Sequence, residues 1–385
     1  MLKNDSEKFN LLTPQNERDN IQLGLSNMNL ALNKLNNPCL DIPAIQIVGT
    51  NGKGSITAFL EKILCKANIN IGVTTSPHLL EINERIRVNG RNIKEDEFIN
   101  LLNQIQEELN ELKLTPFELI ICCSLKYFND RNVNFLLLEA GLGGRLDATT
   151  AHRCRPIIAL GNIGIDHKEY LGKTIEEITQ EKVAVIKTDS IVVSCNQNSK
   201  VKKIINERVN KIGAKIYWVK PLSDNWELGL KGYFQKQNAA VAKGVIKILS
   251  HKGISISKEI IKSSLKETKW PGRLDLLTWK NNKILVDCAH NPSAAKALAK
   301  EREHWSNQEE GVFWIIGMQK QKDIINFLKE IIRPLDKLLL IQIPGHQSWC
   351  LEDIIKNSNQ SFICFDVMEF KDFNSIFKFL EGLDE

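Results

Sequence analysis

The chain has 385 residues, 43% of them hydrophobic and 25% charged, with a formal net charge of +5. That is the make-up of an ordinary globular protein of two domains, without the basic tract that would point to nucleic acid. Nine scattered cysteines with no C-x-x-C spacing exclude a disulfide framework and a zinc site, and reduced thiols in a cytoplasm are expected.

The polar start, Met1-Leu-Lys-Asn-Asp-Ser, lacks the apolar core of a signal peptide, and no apolar run reaches the ~20 residues that span a bilayer. Ala44–Val48 is an apolar run that reads as a buried strand. Gly49-Thr-Asn-Gly-Lys-Gly-Ser55 follows, then an amphipathic helix over Ile56–Ala67. Strand, glycine-rich turn and helix in that order form the setting of a phosphate-cradling loop. Gly49, Gly52 and Gly54 let the backbone approach phosphate oxygens, and the helix start adds partial positive charge. Lys53 would neutralise phosphate charge, and Ser55 or a nearby hydroxyl would face Mg²⁺. The common G-x-x-x-x-G-K-[ST] spacing fails, because Ile47 stands where its first glycine falls and Gly54 where its hydroxyl falls.

Further strands are expected at Ile69–Thr74, Phe135–Glu139, Ile157–Leu160, Ile191–Ser194 and Lys215–Val219. Helices are expected at Glu95–Leu112, Pro116–Asn129, Ile175–Lys187, Val201–Ile212 and Gln235–Ser250. Continuous apolar strands alternating with helices predict a parallel sheet covered on both faces. Candidate ligand groups stand just past strand ends, where such sheets gather their ligands. They are Ser76-Pro-His-Leu79, Glu139 with Ala140-Gly-Leu-Gly-Gly-Arg-Leu-Asp147, and Gly161-Asn-Ile-Gly-Ile-Asp-His167. Glu139 suits Mg²⁺, and His167 suits a metal or a phosphate. By pattern alone, Glu181-Lys182 lies on a solvated helix face. Trp270-Pro-Gly-Arg273 reads as a hinge, since neither Pro271 nor Gly272 continues a helix. A second, shorter series follows, with strands near Arg273–Thr278, Lys283–Asp287, Val312–Ile316 and Lys337–Ile341. Its helices are expected near Ser293–Trp305, Asp323–Ile332 and Asn374–Leu380. Within it, Asp287-Cys-Ala-His290-Asn-Pro292 ends a strand and opens a helix. The fold class expected is α/β, a P-loop-containing parallel-sheet domain over 1–268 and a smaller Rossmann-like α/β domain over 269–385.

These motifs together resemble the bacterial dihydrofolate synthase/folylpolyglutamate synthase family, within the Mur ligase superfamily. The resemblance runs from about Ile21 to about Asp323. It rests on Gly49–Ser55, Ser76–Leu79, Glu84–Gly90, Thr115–Glu118, Leu138–Thr149, Asn162–His167, Leu171–Lys182, Asn238–Ala242, Trp270–Arg273 and Asp287–Pro292. It implies an ATP-dependent ligase that joins L-glutamate to dihydropteroate or to a folate γ-carboxylate through an acyl phosphate. Thr50, Asn51, Gly52, Lys53, Gly54 and Ser55 would hold the triphosphate, with ATP contacts from Asn238, Arg273 and Asp287 and His290 beside them; Lys53, Lys182 and His290 would be the catalytic residues. Ser76, Glu139 and His167 would ligate Mg²⁺. Lys182 would carry a carbamate for a second Mg²⁺, reversing its solvated-face reading, and K⁺ is a further candidate ion. Thr115, Pro116, Phe117, Glu118, Leu146, Asp147 and Ala148 would line the pterin pocket. A monomer acting on small molecules, away from membranes and nucleic acid, is expected. The rival functions are a peptidoglycan Mur-type ligase and a non-catalytic ATP-binding protein. Two stretches depart from the family pattern. Ile21-Gln-Leu-Gly-Leu-Ser-Asn27 lacks its charges, and Gly317-Met-Gln-Lys-Gln-Lys-Asp323 lacks its first aspartate. His346 stands where an arginine is expected.

Overall fold

The computed structural model describes residues 23–280, 282–305, 311–357 and 366–382; Ile21 and Gln22 lie outside them. The described residues fall into two units. One runs to Ile163 and again from Lys173 to Val286, and the other holds Gly164–Gly172 and the chain from Asp287 onward. The Pro271-Gly272 turn expected as a hinge lies inside the first of these units, and the chain passes into the second at Val286–Asp287.

The first unit is built on one sheet. Its strands are β1 (Ala44–Val48), β2 (Ile71–Thr74), β3 (Ile86–Val88), β4 (Arg91–Asn92), β5 (Phe135–Glu139), β6 (Ile157–Leu160), β7 (Ile191–Cys195) and β8 (Lys215–Val219). They lie in the order β4-β3-β2-β5-β1-β6-β7-β8. From β2 to β8 every pairing is parallel, whereas β3 and β4 add an antiparallel hairpin at one edge.

Alternation along the central strands feeds two cores, because successive side chains point to opposite faces. Leu136 and Leu138 of β5 join one cluster with the helices Ser26–Lys34, Glu95–Glu108 and Pro116–Asp130. Leu137 joins the other, with Ile45 and Ile47 of β1 and the helices Lys53–Lys66, Tyr233–His251 and Lys258–Glu267. Ile45, Ile47, Leu136, Leu137 and Leu138 are fully buried, so each contributes about 1.5–3 kcal/mol of transfer free energy to the sheet.

The segments Arg273–Thr278 and Lys283–Asp287, expected to begin the second α/β series, instead make an antiparallel ribbon, β9 (Asp275–Trp279) with β10 (Asn282–Val286), inside the first unit. The second unit has a parallel sheet of β11 (Phe313–Ile316), β12 (Lys337–Ile341) and β13 (Asp366–Phe370), in that order. Its helices include Pro292–Arg302, Ile324–Ile331 and Phe373–Glu381. A buried ion pair, Arg302 with Asp336 at 2.5 Å, anchors this unit, and Asp336 also accepts from Trp314 Nε1 and the Val312 and Arg333 amides.

Candidate active site

Parallel pairing brings the carboxyl ends of β2, β5, β1 and β6 to one edge of the sheet. The chain leaves β1 toward β2 on one side and reaches β6 on the other, which makes β1 the switch point where such sheets open a crevice. The Gly49–Ser55 loop leaves β1 at this place. Its Thr50 and Asn51 amides donate to Asn162 O at 2.8 and 3.1 Å, so the loops after β1 and β6 are stitched together.

Gly52 caps the Lys53–Lys66 helix in the left-handed region at φ +86°. A Cβ there would stand 2.4 Å from Asn238 Oδ1, and one on Gly54 would stand 2.9 Å from Trp270 Nε1. Asn238 and Trp270 thus press directly on the phosphate loop, and neither position has room for a side chain. Lys53 Nζ donates to Thr50 O at 3.4 Å. Ser55, expected to face Mg²⁺, is buried, and its hydroxyl accepts from Gln235 Nε2 at 3.2 Å. Gln235 in turn accepts from Asn238 Nδ2 at 2.9 Å. The sequence offered no sign of Gln235's part, because a glutamine at a helix start is ordinary surface chemistry.

Lys182 sits on the helix Ile175–Val183, and the solvated face read from its pattern is wrong. The residue is 4% exposed, and Nζ donates to Gly49 O at 3.2 Å. Its neighbour Glu181 does face outward, paired with Arg145 at 3.0 Å.

The Thr115–Glu118 stretch closes a capping box on the helix Pro116–Asp130. Thr115 Oγ1 accepts from the Glu118 amide, and Glu118 Oε2 accepts from Thr115 N at 2.8 Å and from its hydroxyl at 2.9 Å. The T-P-F-E spelling is itself the capping signature, with proline at the first helical position. Phe117 lies against Gly141, where a Cβ would meet its ring at 2.8 Å. Asp147 is buried, and its carboxylate is taken up by the Leu142 amide at 2.8 Å, the Thr149 amide at 3.0 Å and the Thr149 hydroxyl at 2.5 Å. Leu146 is half-buried and Ala148 buried beside it.

In the second unit, Asp166 is a hub that the sequence did not reveal. It accepts from Lys322 Nζ at 2.7 Å and Asn291 Nδ2 at 3.0 Å, with His290 Nε2 at 3.3 Å. Burial alone would raise its carboxyl, but the His290 hydrogen bond and the His167 and Lys322 charges hold it well below the usual range. His167 adopts φ +51°, and its Nε2 lies 3.2 Å from Lys322 Nζ. His290 is exposed, with Nδ1 2.8 Å from Cys288 O. Asp287 accepts from the Ala289 amide at 2.8 Å.

Family models of the Mur ligase middle domain and of the dihydrofolate synthetase C-terminal domain match residues 47–261 and 273–345. The dihydrofolate synthetase of Saccharomyces cerevisiae is 32% identical over 350 residues, covering 83% of this chain and 81% of that protein. The chain belongs to the dihydrofolate synthase/folylpolyglutamate synthase family. The bifunctional enzyme of Bacillus subtilis is 30% identical over 344 residues, 81% of this chain and 79% of that one. The crystal structure of the Yersinia pestis bifunctional enzyme complexed with AMPPNP and Mn ion superposes with a TM-score of 0.82. It is 25% identical and covers 98% of this chain and 91% of that one. As a member of this family the chain is an ATP-dependent ligase of the Mur superfamily.

A divalent cation fits this ligase at one place in its first unit. Ser76 Oγ, just past β2, and Glu139 Oε2, on the last residue of its partner β5, are buried and have no hydrogen-bond partner among the described residues. A buried polar atom left unpaired is costly, and two oxygen donors suit a hard cation. Among the described residues no three His, Cys, Asp or Glu side chains gather into a metal cage.

Complete burial pushes the Glu139 carboxyl up from 4.5 to about 7, against the charges of Lys53, Arg273 and Arg87 and the Ser76 amide, which pull it down. A proton is therefore retained by the folded ligase and released by the unfolded chain between these values. Metal-free stability should fall as pH rises from about 4.5 to about 7 and level off above. Mg²⁺ must displace that proton, so its apparent affinity should rise about tenfold from pH 6 to pH 8, following the ionised fraction. Calorimetric titration at the two pH values checks this, and Glu139→Gln should bind weakly with no such pH dependence.

Proposed function

We propose that this ligase joins the amine of L-glutamate to the carboxylate of dihydropteroate, and extends reduced folates at the γ-carboxylate, at the expense of ATP. The observation that carries it is the strand-end cluster: a phosphate loop, the buried Lys182 against Gly49 O, and the unpaired oxygens of Ser76 and Glu139. Its membership of a family whose relatives carry those two activities in their names supports the substrates.

The loop amides and the start of the Lys53–Lys66 helix bind the triphosphate, and Lys53 carries the charge that meets the β/γ-phosphates. Asn238 and Arg273 hold the nucleotide from the same unit. When bound, the divalent cation neutralises phosphate charge and polarises the γ-phosphoryl group. Transfer of that group to the acceptor carboxylate yields ADP and an acyl phosphate. Attack by the glutamate amine forms the amide and expels phosphate, and the amine proton leaves to solvent or a base. No covalent enzyme intermediate is needed; orientation and fixed charge lower the barrier.

Lys182 carries a carbamate in the active form, giving the buried helix face an anionic oxygen for a second cation, and K⁺ serves as an accessory ion. Thr115–Glu118 and Leu146–Ala148 shape the pterin pocket, where Phe117 offers the aromatic surface and Thr115, Glu118 and Asp147 keep the walls in place. Asp287, His167 and His290, in the second unit, keep the assignments that the family resemblance gives them. The protein works as a cytoplasmic monomer on small molecules. Among the described residues no helix is long and apolar enough to cross a membrane. Phosphate release tests the proposal. It should require both dihydropteroate and glutamate, and release with muropeptide precursors alone, or with no acceptor, would refute it.

A further inference from the structure

The Glu84–Gly90 motif has no part in the chemistry above, yet its Arg87 is 5% exposed and among the most connected side chains of the first unit. Arg87 lies on β3, opposite Val73 of β2. Its guanidinium grips Glu61 of the Lys53–Lys66 helix through Nε at 3.0 and 3.2 Å and through Nη2 at 2.8 Å. Nη1 donates to Thr75 Oγ1 at 2.8 Å and to the Glu84 carbonyl. The plane also sits over the Trp270 ring, 5.0 Å from its centroid, and Trp270 Nε1 is the atom that closes on Gly54.

One side chain therefore touches three segments that separately hold the nucleotide and the cation. They are the phosphate-loop helix through Glu61, the Ser76 strand end through Thr75, and the Trp270–Arg273 turn through Trp270. We infer that Arg87 is a positioning residue, fixing the mutual register of the phosphate loop, Ser76 and the Trp270–Arg273 turn so that Mg²⁺ and nucleotide phosphates meet prearranged partners. A mere core ion pair would need neither the Thr75 hydroxyl nor the tryptophan face. Lysine could not do this, since a single ammonium cannot present a planar fork to a carboxylate while stacking on a ring. Misplacement by ~1 Å among such groups is enough to weaken a site of this kind by about 10²-fold. The charge of Arg87 also reaches Glu139, which it helps to ionise.

The inference rests on the ATP-dependent ligase reading, and the test separates the two. Arg87→Met with Glu61→Met removes the pair without leaving either charge buried alone, a replacement that is often neutral for stability. Thr75→Val removes one hydroxyl and keeps the shape. Calorimetry with AMPPNP and Mg²⁺ is the readout, with melting temperature and the KM for glutamate alongside. The double variant should melt within ~5 °C of the parent, as expected for a near-neutral change. It should bind the Mg²⁺ complex at least ~10-fold more weakly, by the same misplacement argument, with the glutamate KM within about twofold. Thr75→Val should lose about fivefold, the worth of one ordinary hydrogen bond. A folded double variant that binds like the parent overturns the inference, as does a glutamate KM that rises in step with the nucleotide Kd. If the double variant does not fold, Thr75→Val decides, and unchanged binding there overturns it. Parent protein that binds AMPPNP but never ligates glutamate refutes the functional reading alone; parent that binds no nucleotide refutes both.

Discussion

Lys53→Ala should lower kcat by about 10²–10³ or more, the loss typical when a fixed charge facing a developing negative charge is removed. Its melting temperature should stay within ~2 °C of the parent, because the side chain fills no core. The residue is half-buried at the start of its helix, and Nζ donates to Thr50 O at 3.4 Å. A cation placed there has one evident use, to meet phosphate charge arriving in the loop. Steady-state phosphate release at saturating ATP measures the effect. Turnover near the parent value would remove Lys53 from the chemistry and leave Gly49–Ser55 as a plain turn.

The second large effect is expected at Lys182. An ammonium buried to 4% exposure carries a heavy desolvation penalty, and Nζ donates to Gly49 O at 3.2 Å. A neutral amine in that position can add carbon dioxide, forming the N–C bond of a carbamate and releasing a proton. The product is an anion able to hold a cation, so the same burial that penalises the ammonium favours its conversion beside a bound metal. Lys182→Ala should therefore lose at least ~10²-fold in kcat, by the same electrostatic scale as Lys53. Lys182→Glu, shorter but anionic, should keep a trace, and bicarbonate or short carboxylates should partly restore the alanine variant. Labelled bicarbonate should place a carbamate signal on Lys182. An unmodified lysine in an active, nucleotide-bound crystal would overturn this role.

Strands with continuous apolar runs were readable to the residue. Ala44–Val48, Phe135–Glu139 and Ile157–Leu160 have the bounds expected. A strand buried on both faces carries its own signature, whatever packs on it. The β3–β4 hairpin escaped notice because Arg85, Arg87 and Arg91 break the apolar pattern. Its Asn89-Gly90 turn, with φ of +51° and +77°, was nonetheless the standard hairpin signal. β9 and β10 were read as members of an αβ series and form an antiparallel ribbon, since a two-stranded ribbon and a parallel strand look alike over five residues.

Site residues divided along the same line. The places of Lys53, Glu139 and Ser76 in a loop and at strand ends were legible, because sequence records such positions. Lys182 could not be read from its pattern, because burial there comes from the Gly49 turn, far away in the chain. Gln235, Arg87, Asp166 and Lys322 owe their places to contacts across 12 to 180 residues, which no local pattern encodes.

The central step, transfer of the γ-phosphoryl group to a carboxylate, is tested most directly by following an oxygen atom. Dihydropteroate labelled with heavy oxygen in its carboxylate is incubated with the protein, ATP, Mg²⁺ and L-glutamate, and the phosphate and amide products are weighed by mass spectrometry. An acyl phosphate delivers one labelled oxygen to inorganic phosphate for every amide formed. Amide formed alongside unlabelled phosphate, label found in AMP, or no amide at all would contradict it.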